Sequence, residues 1–118
     1  MLYTNLKHIE SAAELTQIIS SNNDVVVICG RMGQKCIPVY RIAEELEGLY
    51  SQVKFYDMEY DNPESAVIRN LSEVVDLKEI PFTIYYKYGN VIKATSGLQT
   101  KVQIMAILNH EFAIAVNA

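Results

Sequence analysis

The feature that most limits how this chain can fold is the run Val25-Val26-Val27-Ile28, four consecutive β-branched residues between a polar stretch, Ser21-Asn22-Asn23-Asp24, and a loop bearing two glycines. Such residues lose side-chain freedom in a helix and pack well on a pleated surface. An unbroken apolar run without polar alternation belongs to a strand covered on both faces, so the segment predicts a central strand in a layered α/β structure. The chain leaves that strand through Cys29-Gly30-Arg31-Met32-Gly33-Gln34-Lys35 and brings Cys36 to the start of a helical pattern. A helix N-terminus presents unpaired N–H groups and the positive end of the helix dipole, and both favour a thiolate.

Elements on either side follow from local signals. Ser11-Ala12-Ala13-Glu14 is a capping-box pattern that predicts a helix over 11–20. From Gln34 onward, Val39, Ile42, Ala43, Leu46 and Leu49 or Tyr50 fall on one helical face and Arg41, Glu44, Glu45 and Glu47 on the other, with Pro38 in the opening turns. Val53 to Tyr60 alternates as a strand. Asp61-Asn62-Pro63 then predicts a helix start, and the pattern extends over 63–74. Phe82 to Tyr88 and Val91 to Thr95 predict a hairpin that turns at Gly89-Asn90. Thr100-Lys101-Val102-Gln103 repeats the capping box and opens a last helix, which the tail from Phe112 to Ala118 either extends or leaves to fray. With Leu2 to Leu6 as a first strand the order is β-α-β-α-β-α-β-β-α, an α/β class with a central mixed sheet flanked by helices on both faces.

The 118 residues form one expected domain, 1–118, large enough for a core without metals or disulfides. A formal charge of −4 gives no electrostatic reason to bind nucleic acid or an anionic membrane surface. The opening residues Met1 to His8 lack the basic start and long apolar core of a signal peptide, and no run approaches a membrane span, which together predict a cytoplasmic protein. Two cysteines and two histidines have no zinc-site spacing, so no metal and no cofactor is expected.

Particular residues resemble the thioredoxin family across nearly the whole chain. Val26 to Cys36 is similar, without gaps, to the segment that runs from the family's central strand through its W-C-G-P-C motif. Ile80-Pro81-Phe82 resembles its Ile-Pro-Thr, whose proline is cis and faces the active site. Asp61-Asn62-Pro63, Lys87-Tyr88-Gly89-Asn90 and Gly97 resemble its turns. The resemblance implies the thioredoxin fold, a cis Pro81, and an active-site loop of Met32, Gly33, Gln34 and Lys35. In it Gly33 stands where the family has its nucleophilic cysteine and Cys36 where it has the resolving one. Val27 takes the place of a buried aspartate, and Cys29 and Met32 replace tryptophans.

The motif is therefore degenerate, Gly-Gln-Lys-Cys, and disulfide reductase activity is expected to be weak or absent. Two functional expectations remain open. One keeps the protein in thiol redox chemistry and cell redox homeostasis. There Cys36 acts as a monothiol for mixed disulfides or oxidant sensing, and Cys29 or an external thiol, from a reductase or a low-molecular-weight compound, acts as resolver. The other is a redox-inactive module or complex subunit that binds a protein or peptide partner through the loop and through the free backbone groups beside Ile80 and Pro81. Against each stands a plainer reading: Cys36 as a small buried hydrophobe, Cys29 as a buried free thiol without a bridge to Cys36, and Arg31 and Lys35 as solvated charges rather than groups that lower the Cys36 pKa or meet an acidic partner. His8 and His110 are expected at the surface, away from Cys36.

Overall fold

Strand β2 (Asp24–Gly30) is buried along its whole length and forms the middle of a five-stranded sheet. In the computed structural model, which describes residues 2–113, it follows β1 (Lys7–Ile9) and α1 (Ala12–Ser21). After it come α2 (Cys36–Glu47), β3 (Lys54–Glu59), α3 (Ala66–Arg69), β4 (Phe82–Lys87), β5 (Asn90–Ser96) and α4 (Lys101–Glu111). The sheet order is β1-β3-β2-β4-β5, with β1, β3 and β2 mutually parallel and β4 and β5 antiparallel to their neighbours.

Side chains of β2 alternate between two cores, as the period of a strand requires. Val26 and Ile28 join Val39, Tyr40, Ala43 and Leu46 of α2 and Ile104 and Leu108 of α4. Val25, Val27 and Cys29 join Leu15 of α1 and Ile68 of α3 on the opposite face. Two covered faces explain why the strand reads as an uninterrupted apolar run.

Local chemistry sets the element ends. Ser11 caps α1 by accepting the Glu14 amide, while the Glu14 carboxylate accepts the Glu10 amide at 2.7 Å, one residue further back than a capping box reaches. At α4 the full box forms between Thr100 and Gln103. Pro38 is the third residue of α2, where its missing N–H has no intrahelical acceptor to lose.

Three boundaries differ from expectation. The first strand is Lys7–Ile9, not Leu2 to Leu6. Thr4 Oγ1 accepts the Leu6 amide at 3.1 Å and donates to the Asp57 carboxylate at 2.5 Å, so a side-chain turn competes with strand pairing while Leu2 and Leu6 still bury their side chains. The third helix does not run over 63–74. A 3-10 turn over Pro63–Ser65 leads into the single helical turn of α3, which stops at Asn70, and Leu71, Val74 and Leu77 then donate to carbonyls three residues back. Asn70 and Ser72 favour such local turns and Val74-Val75 is β-branched, so propensity yields while the apolar side chains stay packed. The hairpin turns at Tyr88-Gly89, with φ of 51° and 81°, and Asn90 already belongs to β5. Two positive φ values match the twist of the flanking strands.

Among the described residues no helix is long and apolar enough to cross a membrane. The left-handed Tyr88 is a strained position for a bulky side chain. Because the left-handed conformation costs an ordinary residue about 1–2 kcal/mol and Asn adopts it readily before Gly in such turns, Tyr88→Asn is expected to raise the urea midpoint, and an unchanged or lowered midpoint would contradict this.

Candidate functional site

Three segments converge where β2 ends. A Cβ placed on Gly30 would lie 2.7 Å from Tyr40 Oη, 2.9 Å from Cys36 Sγ and 3.1 Å from Pro81 Cβ. Only a residue without a side chain lets the strand end, the first turns of α2 and the Ile80–Pro81 segment approach so closely. The Ile80–Pro81 peptide bond is cis, Pro81 is buried and Ile80 half-buried.

Cys36 is the first residue of α2 and is 1% exposed. Its sulfur accepts the Arg31 N–H at 3.4 Å, and its own amide donates to the Gly33 carbonyl at 3.1 Å. Four residues on, Tyr40 donates its hydroxyl to the Arg31 carbonyl at 3.0 Å. Burial, with the Cys36 sulfur beside it, pushes the Tyr40 phenol far above its usual range, so it stays protonated and keeps donating. A side chain at position 33 would meet nothing within 4 Å. Gln34 and Lys35 are exposed, and Met32 is half-buried, its Sδ accepting the Tyr3 amide at 3.3 Å.

Cys29 is not part of this site. Both cysteines are free, and strand alternation turns Cys29 into the core beneath α1 and α3 while Cys36 belongs to the core beneath α2 and α4. Burial pushes the Cys29 thiol up to about 12, only partly offset by Arg69 and a hydrogen bond with Ser65. The bridge to Cys36, and with it the internal resolving role, is not supported: the sheet lies between the two side chains. Val27 is fully buried on the Cys29 side.

The two basic residues of the loop are also differently engaged than their sequence position implies. Arg31 makes two 2.8 Å hydrogen bonds to the Asp61 carboxylate and lies 5.1 Å over the Tyr60 ring. Lys35 Nζ sits 2.9 and 3.0 Å from the Glu79 carboxylate oxygens. The hydrogen bonds from Arg31 hold the Asp61 carboxyl below its usual pKa. Asp61, Glu79 and Tyr40 are the residues that sequence reasoning did not place here. Tyr40 was within reach of it, because positions 36 and 40 share a helical face.

A second polar group lies nearby. His8 Nδ1 is 2.6 Å from Asp57 Oδ1, and Asp57, fully buried, also accepts from Thr4. His8, Glu10, Asp57, Glu59 and Asn62 line a cleft of about 260 Å³ together with Leu2 and Ile9. Burial raises the Asp57 pKa, and the hydrogen bonds of Thr4 and His8 oppose the rise. Among the described residues no group of three or more His, Cys, Asp or Glu side chains is placed to hold a metal ion.

No protein-family model and no curated protein matches the sequence. Solved structures do: the fold is the thioredoxin fold. A Plasmodium falciparum thioredoxin superposes with a TM-score of 0.75 at 23% identity, covering 89% of this chain and 99% of that one. A Trypanosoma brucei brucei thioredoxin gives 0.75 at 17% identity over 96% of each chain. Thioredoxin f2 of Chlamydomonas reinhardtii gives 0.75 at 14% identity, over 91% of this chain and 96% of its own.

Gly30→Ala is expected to cost about 1–3 kcal/mol of stability in chemical denaturation, because the added methyl displaces Tyr40 and Cys36 from packed positions. An unchanged midpoint would show that the junction tolerates the methyl. In a carboxyl-resolved NMR titration Asp61 should ionise below 3.8 and Asp57 above it. For Asp57, a folded pKa above the unfolded one means that its contribution to stability is present at low pH and is lost as pH rises past 3.8 and through the folded value. The reverse order of the two carboxyls would contradict the arrangement.

Proposed function

We propose that this is a thioredoxin-fold protein of thiol redox chemistry that works through one thiol, Cys36, and engages a protein or peptide partner along the loop and the Ile80–Pro81 edge. The observation that carries this reading is the setting of the Cys36 sulfur. It stands at a helix N-terminus, accepts a backbone N–H from Arg31, and lies against Gly30 beside cis Pro81, while position 33 offers open space instead of a second thiol. A backbone donor and a helix N-terminus both stabilise a thiolate.

The reaction is a single exchange. The Cys36 sulfur attacks one sulfur of a partner disulfide, the S–S bond breaks, a mixed disulfide forms, and the departing sulfur takes up the proton that Cys36 loses. Because Cys29 sits across the sheet, release requires an external thiol, from a reductase or a small thiol of the cytoplasm, where we place the protein. Little turnover as a dithiol reductase follows. A second reading has its own support in the 1% exposure of Cys36: a module that binds its partner polypeptide with an inert thiol. Blocking both thiols would then leave partner binding intact.

Glutathione disulfide is the simplest probe. Native protein should gain one glutathione on Cys36, seen by mass spectrometry, Cys29→Ser should behave the same, and Cys36→Ser should gain none. No adduct on folded wild-type protein at any excess of the disulfide would overturn the thiol reading in favour of the binding module. Gly33→Cys, whose side chain has room, should raise disulfide reductase turnover above that of the wild type while lacking the buried carboxylate that would speed it.

A further inference from the structure

The loop between β2 and Cys36, whose Arg31 N–H donates to the Cys36 sulfur, is fastened at both ends by ion pairs to elements outside it. At its start, Arg31 is held three ways: the guanidinium by Asp61 in the turn after β3, the carbonyl by Tyr40, and the N–H by the Cys36 sulfur. At its end, Lys35 pairs with Glu79, next to Ile80. Lys35 is also the N-cap residue of α2; its ammonium, a donor without a lone pair, caps no backbone N–H there and donates to Glu79. Between these anchors Gly33 has open space around it. The four charged side chains are 54–56% exposed, so water and salt reach both pairs.

We propose that the Arg31–Asp61 and Lys35–Glu79 pairs form an electrostatic latch that holds loop 31–35 closed over Cys36, and that breaking them converts a shielded thiol into a reactive one. This rests on the reading of Cys36 as the working thiol and supplies its regulation. With the pairs intact, the loop stays down and Cys36 keeps its 1% exposure. When they open, the loop lifts about Gly33 and uncovers the sulfur, while Tyr40 still holds the Arg31 carbonyl and the Arg31 N–H stays on the sulfur to stabilise its thiolate. The opening signals are those that compete with exposed ion pairs, namely ionic strength and the charged side chains of an arriving partner.

The test is the rate of iodoacetamide alkylation at each cysteine in the folded protein, resolved by peptide mass spectrometry, at low and high salt. Two charge-opposite double variants are compared with wild type: Asp61→Asn/Glu79→Gln and Arg31→Gln/Lys35→Gln. A latch predicts that both variants speed Cys36 alkylation about three- to tenfold, that salt speeds it in wild type and hardly in the variants, and that Cys29 stays slow throughout. Through-space electrostatics alone predicts opposite effects, faster on losing the carboxylates and slower on losing the cations, and that result would overturn the latch. So would Cys36 and Cys29 accelerating together, which reports general unfolding. If Cys36 reacts readily in wild type and ignores both salt and substitution, the latch falls and the thiol reading stands. If Cys36 remains as inert as Cys29 in every protein, both fall.

Discussion

The approach of three backbone segments at Gly30 is the constraint on which the site depends. Strand β2 delivers the chain to that point, α2 starts a few residues later and turns back over it, and the Ile80–Pro81 segment closes from the other side. Each segment is fixed by something remote: β2 by its ladders to β3 and β4, α2 by Val39, Ala43 and Leu46 in the core, and Pro81 by the start of β4. Their meeting therefore reports the packing of the whole sheet, and the Cys36 sulfur occupies the point where errors in that packing would accumulate.

Strand alternation does as much for the chemistry as the junction does. Moving a cysteine by one position along β2 would move it to the other face, and Cys29 at an odd position is committed to the α1 and α3 side. A fold that keeps two thiols apart by placing a sheet between them has one thiol at its site and one in its interior. The pKa of Cys29, driven up by burial to about 12, makes that second thiol chemically quiet.

What could be read in the sequence was local. The capping pair Thr100 and Gln103, the β-branched run of β2 and the glycine of the hairpin each act within a few residues, so pattern and structure agree there. The thioredoxin fold was legible through Val26 to Cys36 and Ile80-Pro81, which sit on opposite sides of the same junction. The boundaries of the first strand and third helix were not, because Thr4 answers to Asp57, 53 residues away, and because Asn70 and Ser72 turn a periodic apolar segment without spoiling its burial. The partners of Arg31 and Lys35 lie 30 and 44 residues distant, and nothing in the spacing of charges announces them. Long-range polar contacts complete the site, and they are the part that a one-dimensional pattern carries least.

The strained turn at Tyr88 lies at the far end of β4 from Pro81. The six residues of that strand put about 20 Å between them. Its backbone N–H is tied to the Asn23 carbonyl at the entrance to β2, so the tip is anchored to the sheet. The molecule thus has a polarity: one end carries the thiol and its charged loop, the other an exposed aromatic on a firmly held turn. A surface, a dye or a second protein attached at Tyr88 would hold every copy in the same orientation, with the Cys36 end facing outward.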